Sequence, residues 1–142
     1  MKRLVACIAL CAIAACGGDS STAPKQPTFP AVVGVYNIAG SFNATGTPFA
    51  GTITFTQLSR EQPTLDGLCA LTVQTSSGPV SFSTIDAASV SESGAIGFNI
   101  GSATGTTTWR FTGVVSGNAI TGTHALAGSS GTFVGTFSAT KQ

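Results

Sequence analysis

From residue 32 to residue 142 apolar side chains recur at every second position in short runs, and each run is closed by Gly, Asn, Asp, Ser or Pro. A period of two is the period of a β-strand, whose side chains point alternately to opposite faces, so this pattern predicts an all-β domain. The clearest case runs from Thr107 to Leu126. Trp109, Phe111, Gly113 and Val115 fall on one face, Ser116-Gly117-Asn118 makes a tight reversal, and Ile120, Gly122, His124 and Leu126 continue on one face of the next strand.

Eight such segments are predicted. The first, Val35 to Phe42, groups Tyr36, Ile38, Gly40 and Phe42; the second, Gly51 to Gln57, turns Ile53 and Phe55 inward and Thr52, Thr54 and Thr56 outward. A turn is expected around Asp66-Gly67, ahead of a third strand that groups Cys69, Leu71 and Val73. The fourth turns Val80 and Phe82 inward before the alternation slips near Ile85, and Ile96, Phe98 and Ile100 mark the fifth. After the sixth and seventh, Gly128-Ser129-Ser130-Gly131 turns the chain into Phe133, Gly135 and Phe137.

No segment carries a helical period long enough for a βαβ crossover, so the strands are expected to be antiparallel and neighbours in chain order. Eight short strands in a meander close most economically into a single small up-and-down barrel, because closure leaves no unpaired edge. Gly40, Gly113, Gly122 and Gly135 among inward aromatic positions fit sharp bending and close ring packing. The alternative is a β-sandwich, which requires long Greek-key connections that are not visible here. A membrane-spanning barrel is disfavoured because its outward positions must be apolar, whereas here they are mostly Thr, Ser and Ala.

The N-terminal stretch says where such a domain works. Lys2 and Arg3 precede an apolar run from Leu4 that ends at Gly17-Gly18-Asp19. That is the layout of a secretory signal and is shorter than the roughly 20 residues needed to span a bilayer. Ile13-Ala14-Ala15-Cys16 resembles the lipobox of bacterial lipoprotein signal peptides. The resemblance implies that residues 1–15 are removed as a signal peptide and that Cys16 is the lipidation site, its acyl chains holding the domain to a membrane. Gly17 after the cysteine, in place of Asp, is similar to the pattern of lipoproteins sent to the outer membrane. The implied location is therefore the bacterial cell envelope, facing the periplasm or the cell surface. Residues 16–30, with prolines at 24, 27 and 30, read as a tether that holds the domain on the order of 20 Å from the lipid, and residues 31–142 read as the barrel.

Beyond residue 15 the charges are few and scattered: Lys25, Arg60, Arg110 and Lys141 against Asp19, Glu61, Asp66, Asp86 and Glu92. A nucleic-acid partner is not expected, since polyanion binding draws on clustered Lys and Arg. With Cys7 and Cys11 in the signal and Cys16 acylated, Cys69 stands alone, so no intrachain disulfide is expected and its thiol reads as a small buried apolar group. One His and one free Cys do not make a dedicated metal site, and no cofactor is indicated. A hydrolytic triad has only His124 to use as its base.

At Gly34-Val35-Tyr36 the first strand resembles the Gly-x-Trp opening of the lipocalin and fatty-acid-binding barrels, with Tyr in place of Trp. The resemblance implies a barrel able to bind something, without naming a ligand. Tyr36, Trp109 and His124 are then the candidate ligand-binding residues, with a core or rim role as the plainer reading of each. Three functional readings follow. The first is a non-enzymatic, membrane-anchored lipoprotein that binds a small apolar ligand or an envelope protein. The second is a structural or interaction lipoprotein with a fully packed core. The third, ranked well behind, is an enzyme using His124.

Overall fold

Strands form where the alternation predicts them. In the computed structural model, which describes residues 25–75, 78–102, 108–128 and 131–142, they are β1 (Gly34–Phe42), β2 (Pro48–Thr56), β3 (Thr64–Thr75) and β4 (Gly78–Val90), followed by β5 (Ala95–Ser102), β6 (Thr108–Ser116), β7 (Ala119–Gly128) and β8 (Gly131–Lys141). The signal segment 1–15 and Cys16 lie outside the described residues. Every strand pairs antiparallel with its neighbours in chain order, and β8 returns to β1, with Tyr36 opposite Lys141 and Phe42 opposite Gly135, so the sheet closes into a barrel.

The predicted faces hold for most strands, except that Val80, expected inward with Phe82, is exposed at the end of β4 that carries the β3–β4 connection. Ile53, Phe55, Leu71, Ile96, Phe98, Trp109, Phe111 and Ile120 are all buried, whereas the outward Thr72, Thr112, Thr123 and Thr136 are exposed. Eight strands enclose an interior just wide enough for side chains to fill, and here they fill it with rings. Phe98 stacks on Phe111 with centroids 4.9 Å apart and planes 3° from parallel, and Tyr36 meets Phe55 edge-on at 6.0 Å. Each such pair adds about 0.5–1.5 kcal/mol beyond area burial.

Two local features differ from or sharpen the sequence reading. Asp66-Gly67 is not a turn: both lie inside β3, opposite Thr56 and Phe55. Gly67 stands there because a Cβ would come within 2.5 Å of the Thr54 carbonyl oxygen, so its role is close approach of two strands and not a reversal. The slip in alternation near Ile85 corresponds to shifts of register on both sides of β4, with Ala87 at a φ of 49° between Asp86 and Ser89.

The two ends of the barrel differ. At one end lie the β2–β3, β4–β5 and β6–β7 connections, and an N-terminal strap closes it. Phe29 N–H donates to the Arg60 carbonyl at 2.9 Å and Arg60 Nε donates back to the Phe29 carbonyl at 2.9 Å. Val32 is fully buried, its N–H donating to Gln57 Oε1 at 3.5 Å and its carbonyl accepting from the Tyr36 hydroxyl at 3.1 Å. Gln57 Nε2 is buried without a hydrogen-bond partner, a local cost of closing the barrel with a strap. The opposite end, which carries the β1–β2 loop, is the mouth.

Candidate functional site

Three inward side chains with polar atoms sit among these rings, and the structure brings two of them together. Trp109 on β6 and His124 on β7 are separated by one register step, since His124 faces Phe111 and Trp109 faces Leu126. Trp109 Nε1 donates to His124 Nδ1 at 3.0 Å, and His124 Nε2 lies 3.1 Å from the Ser41 carbonyl oxygen on β1. An indole N–H can only donate, so Nδ1 must be the bare nitrogen and the ring proton must sit on Nε2, pointing at Ser41.

The imidazole is enclosed as well as paired. Phe42 and Phe49 meet it edge-on with centroids at 4.8 and 5.0 Å, and only 2 % of the residue is exposed. Desolvation holds its pKa below the ordinary 6.5, against a smaller opposing pull from the Ser41 hydrogen bond. Added to this, a proton on Nδ1 would face the Trp109 N–H, donor against donor. Space for the ring comes from Gly135, the β8 residue between Phe42 and His124, where a Cβ would strike the Ser41 carbonyl and the imidazole itself.

Tyr36 lies elsewhere, at the strapped end, its hydroxyl engaged by Val32 and its pKa raised by burial. Cys69 is buried on β3, its Sγ donating to the Thr84 carbonyl at 3.5 Å; desolvation, with Asp86 nearby, pushes the thiol up to about 11. Among the described residues no group of three His, Cys, Asp or Glu side chains gathers to hold a metal ion.

One hollow open to a ligand lies at the mouth. A hollow of about 350 Å³ is walled by Phe42, Val73, Leu126 and Phe133, with Thr45, Thr47 and Gln74 at its edge. Phe42 forms its floor and stacks on Trp109 beneath, with centroids 5.4 Å apart and planes 18° from parallel. Tyr36, Trp109 and His124 do not line it. His124 instead lines, with Gly135 and Thr123, a separate hollow of about 320 Å³, and broader ones of about 640 and 690 Å³ lie on the outer wall and beside the strap. Sequence reading placed Phe133 and Leu126 on inward faces without marking them as a site. Alternation gives the face of a residue but not its height along the barrel axis.

No family model matches the chain, and no curated protein matches it. Among solved structures it is similar to EF1p2_mFAP2b bound to DFHBI, at a TM-score of 0.62 and 15 % identity, over 78 % of this chain and 93 % of that one. It is also similar to a de novo designed fluorescence-activating β-barrel, at a TM-score of 0.51 and 18 % identity, over the same shares of the two chains. At these identities the likeness is one of fold.

Proposed function

We propose that this protein is a non-catalytic lipoprotein of the bacterial cell envelope, anchored through Cys16, whose barrel takes a small apolar or aromatic ligand at its mouth. The observation that carries the reading is the hollow of about 350 Å³ walled by Phe42, Val73, Leu126 and Phe133, at the lower end of the roughly 300–1,000 Å³ of small-molecule sites. A ligand of one or two rings suits that volume and can stack on Phe133, while Thr47 and Gln74 at the edge supply polar contacts that orient it. The likeness to a barrel bound to DFHBI supports the same class of occupant.

In this reading Trp109 and His124 do not touch the ligand. Their nitrogens are occupied by each other and by Ser41, and they hold Phe42 in place as the floor. The test is titration of residues 25–142 with the neutral fluorophore N-phenyl-1-naphthylamine. Saturable binding at one site is expected, weakened at least about tenfold by Phe133→Asp, which sets a charge in the apolar wall. Absence of saturable binding to the native chain refutes the reading.

A further inference from the structure

The outer wall is mostly polar, with Val114 on β6 and Val134 on β8 exposed away from the residues grouped next and Val80 exposed on β4. Of the large apolar side chains left exposed, Val33, Val35, Leu58 and Leu68 gather around β1, β2 and β3 at the strapped end. Val35 and Leu68 flank Thr54 across the sheet, and Val33, just before β1, is exposed two residues ahead of Val35. Leu58, in the connection after β2, is 88 % exposed, and Leu68 is 68 % exposed. An apolar group this open to water marks a surface with a partner.

The position of the chain's tether says which partner. The two hydrogen bonds between Phe29 and Arg60 fix the point where residues 16–28 join the barrel, two residues from Leu58. Thirteen residue steps separate Cys16 from Phe29, a reach of at most about 45 Å. Strands of this length, tilted as in other eight-stranded barrels, make a barrel about 28 Å tall. Turning the mouth to the bilayer would spend most of that reach running back along the wall, whereas the strapped end meets the lipid directly.

We propose that the flank formed by Val33, Val35, Leu58 and Leu68 rests on the lipid surface that holds the acylated Cys16, so that the mouth opens away from that membrane. The ligand then arrives from the aqueous side and is not drawn from the anchoring leaflet. Arg60, Glu61 and Asp66, exposed at the margin of the flank, sit at headgroup level. The inference rests on acylation of Cys16, part of the function proposed above.

The test uses the full chain purified from membranes and reconstituted into phosphatidylethanolamine/phosphatidylglycerol vesicles, with an environment-sensitive fluorophore on Leu58→Cys or, near the mouth, on Val134→Cys. Both positions are exposed, and the buried Cys69 thiol does not compete for label. Brominated lipids are expected to quench the probe at 58 at least threefold more than the probe at 134. Equal quenching, or stronger quenching at 134, in a protein whose intact mass shows acyl chains overturns the docking flank alone. An intact mass without acyl chains overturns the anchor and the docking together.

Discussion

His124 is the only histidine in the chain, which makes its environment readable from the pH dependence of stability. In the folded barrel the ring is neutral, with Nδ1 accepting from Trp109, Nε2 donating to Ser41, and a pKa lowered by burial. On unfolding it returns to about 6.5. As pH falls through that value the unfolded chain takes up a proton that the folded chain refuses, so the contribution is fully present above about pH 6.5 and is lost below it. The lowered folded pKa bounds the loss between pH 7.5 and 5.5 at no more than about 1.4 kcal/mol, or roughly 5 °C in Tm for a domain of this size. The assay is urea unfolding of the wild type and of His124→Gln at each pH. A Gln amide can accept from the Trp109 N–H and donate to the Ser41 carbonyl but does not titrate. The wild type is expected to lose stability relative to the variant below pH 6.5. Parallel stability curves for the two proteins across that range would refute the neutral, enclosed imidazole.

Further outcomes follow from other contacts. Gly135→Ala sets a methyl against the Ser41 carbonyl and the His124 ring and should destabilise by about 1–3 kcal/mol in the same urea assay, since the closed wall cannot shift one strand alone. Phe29→Ala removes a buried ring from the strap and should cost roughly 3 kcal/mol, with Tyr36 becoming accessible to acrylamide quenching. Cys69, with its thiol raised to about 11, should react with Ellman's reagent at pH 8 about a hundredfold more slowly in the native chain than in urea.

Most of the barrel was legible in the chain because strand alternation is a local property. Trp109, Phe111, Ile120 and His124 needed only their neighbours to be placed on an inward face, and the short Ser116-Gly117-Asn118 reversal paired β6 with β7. Closure followed from the count of short strands and the lack of any crossover. What escaped depends on contacts distant in sequence. Gly67 carries a turn residue's signal, yet its place is set by the Thr54 carbonyl on the neighbouring strand. The carbonyl that accepts the His124 Nε2 proton belongs to Ser41, 83 residues away. Whether Phe133 lines the mouth or the core depends on the stagger of the eight strands, which no single segment encodes. Phe29 lies where composition reads as tether and Val32 just ahead of the first predicted strand, and their burial depends on Arg60, Gln57 and Tyr36 arriving at the same end.

The central claim is that the interior is a filled core and that a ligand meets only the mouth. The most direct measurement is two-dimensional NMR of residues 25–142 titrated with N-phenyl-1-naphthylamine, following the Trp109 indole N–H and the methyl groups of Val73, Leu126, Ile53 and Ile120. Saturable shifts at Val73 and Leu126, with the indole proton still in its hydrogen-bonded position and Ile53 and Ile120 unmoved, are the predicted result. Loss of the Trp109 hydrogen bond or shifts at Ile53 and Ile120, while the mouth stays silent, would place the ligand inside the barrel and contradict the account.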